Sequence, residues 1–530
     1  MKTKTEKKAA TQQTARSGKR GAPVKAAAAA TPGGTREPGR ELVDMAGAIA
    51  MLKTTRPTFY RWLRSGKLRG MKVGRQWRFH RSDVERFLQG EGPLVDLAGD
   101  LTPLLTALRR HLPDGAGPDP ASTPDREDLQ AVMLMIAAAA HMRASDLHIE
   151  PHTDAAGERV TRVRCRVDGV LHILAEFDIR LLRPIVERWK IMGGCNIHET
   201  RLPQDGRIVV RVQGRQLDLR VSFVPVGTGE AVTVRFLDSS VARLSLDRIE
   251  FAARDKERLL RFLAENWGLL VVSGPTGSGK TTVLYSCLMH CVRPEIKAMS
   301  VEDPVEYILP GVTQVQLRSA DGLNFPAALR AVLRSDPDVI LIGELRDNES
   351  LMIAQQCALT GHLVMTSMHA GDAAAALQRM VDMGSAPFLV ADATRLVQSQ
   401  RLVRNLCKAC SRPCRPSPDL LARAGELAHA GGLNWNELPT DYREAVGCPE
   451  CRTTGYRGRT VIVENLAVTP AIRAAICRNA PVEELRALAV KEGMTTFVAD
   501  GIRRAAEGQT TLEEVLRVAG VAGSWGPQPR

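Results

Sequence analysis

The chain has 530 residues, 44% of them hydrophobic and only 4% aromatic, and a formal net charge of +13 at pH 7. This length predicts several domains with aliphatic cores rather than one domain. The longest apolar run, residues 131–140, is far shorter than the about 20 residues of a membrane helix, and the Lys- and Thr-rich start does not have the apolar stretch of a secretory signal, so we expect neither feature.

The positive charge is concentrated in the first 90 residues. Residues 1–40 contain ten Lys and Arg against two acidic residues, and residues 41–90 contain eleven against four, which leaves the rest of the chain slightly acidic. The low complexity of residues 1–40 predicts a disordered basic tail. A basic patch at one end predicts a polyanionic partner for that end, unless the tail serves only solubility.

Residues 41–90 have the pattern of a helix-turn-helix. An amphipathic helix is predicted over about 44–52, and a second begins near Pro57, because proline is tolerated at the start of a helix. Residues 71–79 have the pattern of a β-wing, and the whole segment resembles the excisionase-like branch of the MerR superfamily of winged helix-turn-helix domains. The basic side chains of the second helix and of the wing could face a nucleic-acid groove. These are Arg56, Arg61, Arg64, Arg75 and Arg78.

Two interpretations of this basic segment remain open. In the first, it binds DNA through the second helix and the wing. In the second, the fold is reused as a docking module whose basic face meets an acidic protein or anionic lipid.

An α/β domain is predicted at residues 126–243, after a linker over residues 91–125 that is rich in Gly, Pro and Asp around one short helical pattern at residues 101–112. A helical pattern over 129–143 leads into strand patterns punctuated by glycine turns. The predicted strands are residues 161–167, 207–212, 217–221 and 231–236.

A buried-strand pattern at residues 268–273 runs directly into GPTGSGKTT, which fits the phosphate-loop pattern G-x-x-x-x-G-K-[ST]. The glycines let backbone N–H groups face phosphates, and the following helix favours anions at its N-terminus. Lys280 can reach the β and γ phosphates of ATP, and the Thr281 hydroxyl can ligate Mg²⁺. A Gly-rich turn that binds nothing would leave Lys280 and Thr281 unexplained. The predicted nucleotide-binding residues are Gly274, Pro275, Thr276, Gly277, Ser278, Gly279, Lys280, Thr281 and Thr282.

Strand patterns alternate with helical patterns from about residue 245, which predicts a parallel sheet. Three segments with acidic or imidazole side chains follow the phosphate loop. The first is EDPVEY, the second is an apolar strand at residues 339–342 followed by Gly343 and Glu344, and the third is TGHLVMTSMH. A carboxylate at a strand tip beside a phosphate loop can position Mg²⁺ or the attacking water. Taken alone, such acidic clusters are also typical of turns, and such histidines are also typical of structural residues.

Two CxxC pairs lie in a predicted insertion at residues 407–460. They are Cys407 with Cys410, and Cys448 with Cys451. Two such pairs can close a tetrahedral four-thiolate site, for which a structural Zn²⁺ is the default. The alternative is a redox pair or spare thiols. The chain's eleven cysteines, an odd number, fit a reducing cytosol better than a disulfide framework. Residues 461–530 are predicted to be a helical part.

These segments together resemble the secretion ATPases of the type II secretion and type IV pilus assembly superfamily, the general secretory pathway protein E family. The resemblance covers residues 126–520 and includes SDLHIEP, RLPQDGRI and GYRGRTVIVENL. It implies an α/β multidomain fold, in which a PAS-like domain precedes a RecA-like phosphate-loop core at residues 244–406. It also implies a homo-hexameric ring.

The resemblance also implies roles for individual residues. Glu344 would be the catalytic carboxylate of an atypical Walker B segment. An Asp box near Mg²⁺ and water would consist of Glu302, Asp303 and Glu306. His362 and His369 would form a His box that couples the γ-phosphate to subunit motion. The arginines that would approach the nucleotide and stabilise the transferring phosphoryl group are Arg220, Arg235, Arg330 and Arg334.

The function that the resemblance implies is a cytoplasmic ATPase peripheral to the inner membrane. It would convert ATP hydrolysis into mechanical work on inner-membrane platform proteins of a secretion or pilus machine, and the tetracysteine element is typical of secretion and extension motors. One alternative is a DNA-associated ATPase or regulator whose substrate is defined by the helix-turn-helix. Another is a nucleotide-binding scaffold without turnover, against which Glu302, Glu344 and His369 argue.

Overall fold

The computed structural model describes residues 42–64, 68, 71–73, 76–88, 101–113, 126–153, 157, 159–212, 214–237, 245–317 and 323–520. The chain forms two compact units, Met1–Ala98 and Gly99–Arg530. Among the described residues, no helix combines the length and the apolar character that crossing a bilayer requires.

The first unit is a small winged helix-turn-helix. Asp44 caps its first helix by accepting a hydrogen bond from the Gly47 N–H at 2.8 Å, as expected for aspartate at a helix start. Phe59 and Phe79 are fully buried and meet edge to face at 5.1 Å. Its strands form an antiparallel sheet of order β1-β3-β2, so the predicted helices and wing are confirmed. The elements are β1 (Leu42–Asp44), α1 (Met45–Met51), α2 (Arg56–Arg64), β2 (Met71–Val73), β3 (Gln76–His80) and α3 (Arg81–Leu88).

The second unit begins with a six-stranded antiparallel sheet of order β6-β5-β4-β9-β8-β7. We call residues 101–237 the antiparallel domain. Two of its strands, β4 and β6, were not predicted. The elements are α4 (Thr102–Arg109), α5 (Glu127–His141), β4 (Asp146–Thr153), β5 (Arg159–Val167), β6 (Val170–Asp178), α6 (Leu182–Met192), β7 (Gln204–Val212), β8 (Arg215–Val226) and β9 (Gly229–Leu237).

Part of the predicted linker is a packed helix. Leu104, Leu105 and Leu108 of α4 are buried and belong to the same apolar cluster as α5 and the antiparallel sheet. The interpretation of residues 91–125 as a linker is therefore wrong for α4. The short leucine-rich face of α4 has a partner only once the sheet is formed, which its local composition does not reveal.

The rest of the second unit, residues 245–520, is the core domain. Its seven-stranded sheet has the order β12-β11-β13-β14-β10-β15-β18. All neighbouring strands are parallel except β15 and β18, which are antiparallel. The predicted parallel sheet is confirmed, and β10 and β13 have the predicted bounds.

The core domain contains more elements than its sheet. Its helices and strands are α7 (Ala253–Leu263), β10 (Gly268–Ser273), α8 (Lys280–Cys291), β11 (Ala298–Glu302), β12 (Val312–Gln316), α9 (Phe325–Leu333), β13 (Val339–Ile342), α10 (Asn348–Leu359), β14 (Leu363–Met368), α11 (Ala373–Asp382), α12 (Pro387–Ala393), β15 (Thr394–Leu406), β16 (Arg412–Pro413), α13 (Pro418–Ala430), β17 (Arg443–Glu444), β18 (Tyr456–Ala467), α14 (Pro470–Cys477), α15 (Val482–Lys491), α16 (Phe497–Ala506) and α17 (Leu512–Ala519).

The position of β18 shows that the predicted boundary between the insertion and the C-terminal part is wrong. This strand pairs with β15 from Leu396 opposite Ala467 to Leu406 opposite Tyr456, so it is the edge strand of the core sheet. The boundary predicted at residue 461 falls inside this strand. The cysteine-rich segment is consequently an excursion between two paired strands, because both of its ends are fixed by the sheet.

Glu464 on β18 joins two helices to this edge strand. Its carboxylate is buried and accepts hydrogen bonds from the N–H groups of Ala373, at 2.6 Å, and Phe497, at 3.1 Å. These N–H groups begin α11 and α16, where helix N-termini lack intrahelical partners. Burial raises the pKa of Glu464 from 4.5 to about 7.

The raised pKa of Glu464 predicts a pH-dependent stability. Between pH 4.5 and about 7 the folded protein keeps a proton that the unfolded chain releases. Stability is therefore fully present below pH 4.5, falls as the pH rises to about 7, and then levels off, for a total of about 3 kcal/mol from this group. In Glu464→Gln we expect a shallower fall of the melting temperature between pH 5 and pH 8.

The measurement is thermal unfolding of the parent, Glu464→Gln and the exposed control Glu483→Gln across this pH range. The control should follow the parent. Identical pH profiles for the parent and Glu464→Gln would contradict the prediction.

Candidate functional site

Three parallel strands end at one edge of the core sheet. β10 pairs in parallel with β14, and β14 pairs in parallel with β13. The segments that follow these strands therefore leave the sheet side by side, at the edge where open α/β sheets bind ligands. This carboxyl edge brings together the phosphate loop, Glu344 and His369.

The connection between β10 and α8 is a tight loop that requires glycine. Gly274, Gly277 and Gly279 have φ angles of 149°, 78° and 88°. A Cβ on Gly274 would lie 2.6 Å from both the Gln400 carbonyl oxygen and Ser278 Oγ, so no larger residue fits there. Gln400, on β15, donates from Nε2 to the Ser278 carbonyl at 2.8 Å. The loop is thus held in shape by the strand beside it.

Lys280 and Thr281 begin α8 at the end of this loop. Lys280 Nζ donates to the carbonyls of Gly274, at 2.9 Å, and Pro275, at 3.1 Å, so the ammonium group lies across the loop. Burial lowers the pKa of Lys280, while the charge of Glu344 acts in the opposite direction. Thr281 is exposed in the first turn, where the helix N-terminus favours anions. These groups can bind nucleotide phosphates and Mg²⁺.

Glu344 follows β13 at the same edge. The next residue, Leu345, is buried, and its N–H donates to the Ser367 carbonyl at 2.9 Å, which holds the segment against β14. The Glu344 side chain is 26% exposed, and its Oε2 lies 3.8 Å from His369 Nε2. Glu344 can therefore offer an oxygen to water or to a metal-bound water.

Glu302, the first acidic residue of the predicted Asp box, is less accessible to water than Glu344. It is buried at the end of β11. Its carboxylate accepts hydrogen bonds from the Tyr285 hydroxyl, from Ser300 Oγ at 2.6 Å and from Gln314 Nε2 at 3.2 Å. These contacts tie β11 to α8 and β12. The catalytic role of Glu302 stays a prediction.

Asp303 and Glu306 each pair with an arginine. Asp303 Oδ2 lies 3.4 Å from Arg346 Nη1. Glu306 Oε2 lies 3.2 Å from Arg220 Nη1, and Arg220 also donates to the Val305 carbonyl at 2.9 Å. Arg220 belongs to β8, so the antiparallel domain contacts the Asp box directly.

The other three predicted arginines make different contacts. Arg235 pairs with Asp146 at 3.1 Å across neighbouring strands of the antiparallel domain. Arg330 pairs with Glu349 at 2.6 Å, and Arg334 donates to the Arg330 carbonyl at 2.9 Å. None of these three contacts involves the phosphate loop, so their approach to a nucleotide stays a prediction.

The two predicted histidines lie at opposite ends of β14. His369 follows the strand at the carboxyl edge. His362 precedes it, where its carbonyl accepts from the Gly268 N–H at 3.1 Å and its Nδ1 lies 3.0 Å from the Cys357 carbonyl oxygen. The strand separates them by roughly 20 Å. The structure therefore does not bring the two histidines into one cluster within this chain.

Three site residues were missed by the sequence reasoning. Arg346 pairs with Glu344, with its Nε 2.8 Å from Glu344 Oε1, and hydrogen bonding to Glu344 raises the pKa of Arg346. Gln400 holds the phosphate loop, and Arg401 donates to the Gly371 carbonyl at 2.6 Å. Arg346 is visible in the GELRD segment. Gln400 and Arg401 had no signal of their own, because only the strand order places β15 beside β10.

The four cysteines of the predicted metal site form one cluster. Their Sγ atoms all lie within 4.8 Å of one another. Cys407 to Cys448 is 3.9 Å, Cys410 to Cys451 is 3.7 Å, and Cys448 to Cys451 is 3.7 Å. Four thiolates at about 2.3 Å from one ion would be separated by about 3.8 Å in a tetrahedron. The donor set and its spacing fit a tetrahedral zinc ion.

The cysteine cluster is attached to the antiparallel domain. Arg452 directly follows Cys451 and donates to the carbonyls of His141, at 3.0 Å, and Met142, at 3.1 Å. These carbonyls end α5, where they lack helical partners. The Gly458 N–H also donates to Asp168 at 2.9 Å.

The predicted nucleic-acid residues belong to the first unit. Arg56 begins α2, Arg61 and Arg64 lie on α2, and Arg78 lies on β3. Arg75 lies outside the described residues. The helix and the wing that were predicted to carry these arginines are therefore present.

Comparison with known proteins places this geometry in a family. The sequence model of the type II/IV secretion system protein family matches residues 125–517, and that of a helix-turn-helix domain matches residues 46–92. The type II secretion system protein HxcR of Pseudomonas aeruginosa is 43% identical over 398 residues, which cover 74% of this chain and 78% of that protein. The type IV pilus assembly ATPase PilB of Myxococcus xanthus is 37% identical over 439 residues, which cover 82% and 75%.

The fold has a counterpart among solved structures. The ATPase DotB of Legionella pneumophila superposes with a TM-score of 0.54 at 19% identity, over 76% of this chain and 98% of that chain. That likeness concerns the fold alone. The family match over the antiparallel and core domains and the two relatives show that the chain belongs to the type II/IV secretion system protein family and is a phosphate-loop ATPase with an additional helix-turn-helix domain.

Proposed function

We propose that this chain is the ATP-hydrolysing motor of a type II secretion or type IV pilus assembly machine. The observation that carries the proposal is the carboxyl edge of the core sheet. There the segments that follow β10, β13 and β14 place Lys280 and Thr281, Glu344 and His369 at one edge of the sheet.

In this mechanism the phosphate loop and Lys280 bind the β and γ phosphates, and Thr281 and the loop would hold Mg²⁺, which neutralises phosphate charge when bound. Glu344 orients the attacking water. His369 lies 3.8 Å from Glu344 and senses the γ-phosphate. Six chains form a ring, in which Arg235, Arg330 and Arg334 reach the nucleotide of a neighbouring chain. His362 and Glu302 act through the strands that they fix.

The motor acts on inner-membrane platform proteins from the cytoplasmic side. The relatives named for type II secretion and for type IV pilus assembly support this role. The Arg220–Glu306 contact supports a coupling between nucleotide chemistry and movement of the antiparallel domain, because it joins that domain to the Asp-box segment. The Glu306 N–H in turn donates to the Tyr285 hydroxyl of α8, the helix that follows the phosphate loop.

The central test separates nucleotide binding from hydrolysis. In Glu344→Gln we expect ATP turnover to fall at least about 100-fold, because the amide is a poor base and cannot orient water in the same way. Binding of a fluorescent ATP analogue should persist. In Lys280→Ala binding itself should weaken.

Turnover is measured with purified full chain, with and without a membrane platform protein or duplex DNA. Stimulation by the platform protein supports the secretion motor. Stimulation by DNA alone would favour the alternative of a DNA-associated ATPase, and unchanged turnover in Glu344→Gln would overturn the catalytic assignment.

We further propose that Cys407, Cys410, Cys448 and Cys451 hold a structural Zn²⁺. The Sγ separations near 3.8 Å support it. Three backbone N–H groups also point at these sulfurs, those of Gly447, Cys448 and Gly455, at 3.1 to 3.3 Å. N–H donors of this kind stabilise thiolates.

Removal of the site is expected to destabilise the insertion. Cys410→Ser should lower the zinc content from about one ion per chain and lower the melting temperature of the core domain. Cys414→Ser is the matched control, since Cys414 lies outside the cluster. A zinc-free chain with unchanged melting and assembly would contradict a structural role.

We also propose that the helix-turn-helix unit binds duplex DNA. The match to a helix-turn-helix family and the eleven basic against four acidic residues of residues 41–90 support it. In the full chain, replacing Arg61 and Arg75 together with Ala should reduce DNA affinity at least about tenfold and lower the salt slope by about two.

Fluorescence anisotropy with labelled duplex measures this affinity. Arg478→Ala, a change in the core domain, is the control and should bind as the parent does. Equal affinity for DNA, heparin and anionic vesicles would instead support the docking-module interpretation.

A further inference from the structure

Tyr285 connects the helix after the phosphate loop to the Asp box. It lies on α8 and is buried, with 4% of its surface exposed. Its hydroxyl donates a hydrogen bond to the carboxylate of Glu302 and accepts one from the N–H of Glu306 at 3.3 Å. One side chain of α8 therefore contacts both the first and the last acidic residue of the Asp box.

The sheet by itself keeps the Asp box away from the phosphate loop. β13 and β14 lie between β11 and β10 in the strand order, which puts β11 about 14 Å from β10 at a strand spacing of about 4.8 Å. α8 begins at the phosphate loop and packs across this gap, since it contacts β10, β13 and β14. Tyr285 thus carries a contact from the phosphate-loop helix to a strand that lies three positions away from β10.

Helix geometry relates Tyr285 to the proposed Mg²⁺ ligand. Thr281 and Tyr285 are four residues apart on α8, so their side chains lie on the same face of the helix, one turn apart. A shift of this turn on phosphate or Mg²⁺ binding would move the Tyr285 hydroxyl with it. Burial, and then the charge of Glu302, raise the pKa of Tyr285, so the hydroxyl keeps its proton and stays a donor to Glu302.

The Asp box begins beside the proposed catalytic carboxylate. β11 pairs in parallel with β13, and the N–H of Gly343, the residue before Glu344, donates to the Val301 carbonyl at 2.8 Å. Asp303 and Glu344 therefore leave neighbouring strands at the same edge of the sheet, and both pair with Arg346. A displacement of the Asp box would consequently disturb the surroundings of Glu344.

The remaining contacts of the Asp box hold it to the sheet. Gln314 on β12 donates to Glu302 at 3.2 Å and to the Tyr307 carbonyl at 2.9 Å, so it fixes the segment to β12. The Tyr307 ring meets the Tyr285 ring edge to face, with centroids 6.3 Å apart. The hydroxyl of Tyr285 adds the hydrogen-bonded connection to α8.

We propose that Tyr285 is a positioning residue of the ATPase, which aligns the Asp box with the phosphate-loop helix. This inference rests on the proposed ATPase function. Tyr285 acts through Glu302 and Glu306 and is too buried to bind the nucleotide itself. Because Glu306 pairs with Arg220 of the antiparallel domain at 3.2 Å, the same hydroxyl connects the nucleotide-binding helix to that domain.

The first test removes only the hydroxyl. In Tyr285→Phe we expect kcat to fall about 10- to 100-fold, since misplacement of catalytic groups by about 1 Å has an effect of this size. The KM for ATP and the affinity for a fluorescent ATP analogue should change less than about threefold, because the phosphate loop is intact. Tyr456→Phe is the matched control and should keep the kcat of the parent. Its hydroxyl also has a buried partner, Thr511 at 3.0 Å, but lies on β18.

The second test follows the Asp-box segment itself. In Tyr285→Phe the amides of residues 303–309 should exchange with solvent at least about threefold faster, because the Glu306 N–H loses its acceptor. The amides of α8 should exchange as in the parent, which distinguishes a loosened Asp box from general unfolding. Hydrogen exchange measured by mass spectrometry on the full chain gives both rates.

Three results would overturn the inference, namely an unchanged kcat in Tyr285→Phe, a tenfold rise in KM, or unchanged exchange of residues 303–309. Melting temperature is measured for every variant. If Tyr285→Phe unfolds, both tests are run with Tyr285→Met, whose flexible side chain adapts to irregular space. A parent chain without ATP turnover would overturn the proposed function, whereas an active parent matched by Tyr285→Phe would overturn this inference alone.

Discussion

The parallel pairing of β10, β14 and β13 is the constraint on which the site depends. Parallel strands put their carboxyl ends at one edge, and here those ends are followed by a phosphate loop, a carboxylate and an imidazole. The loop alone would bind an anion. A side chain that can orient water comes within reach only because β14 sets the distance between the loop strand and the strand that ends in Glu344.

The acidic residues at this edge of the sheet differ in burial and in the groups that they contact. Glu302 is enclosed by a tyrosine, a serine and a glutamine, and so it fixes the end of β11. Glu344 remains partly exposed, with one oxygen bound by Arg346 and the other facing His369. Glu306 pairs with Arg220 of the antiparallel domain. Three acidic residues that look equivalent in the sequence therefore have different surroundings. Glu302 is enclosed by neutral side chains, Glu344 is partly exposed to water, and Glu306 contacts another domain.

The β15–β18 edge of the sheet, next to the phosphate strand β10, explains how the cysteine-rich insertion is held. β15 and β18 are paired along their length, and the insertion leaves and returns through them. Arg452 then caps the end of α5, and Gly458 binds Asp168. The four-cysteine cluster is therefore anchored both to the core sheet and to the antiparallel domain. Glu464, on the same β18, ties α11 and α16 to that edge.

Local patterns in the sequence determined much of this protein. Four features are short patterns of residues close together in the chain, so they can be predicted without the fold. They are the phosphate loop with its flanking strand and helix, the strand before Glu344, each of the two cysteine pairs, and the winged helix-turn-helix. Only the tertiary structure decided the features that depend on contacts between residues far apart in the chain. The sheet made α4 part of a core, and the order of β10 and β15 brought Gln400 to the phosphate loop. The physical reason is that strand pairing and burial join residues that are far apart in the chain. A local sequence pattern does not specify which strands lie next to each other in the sheet.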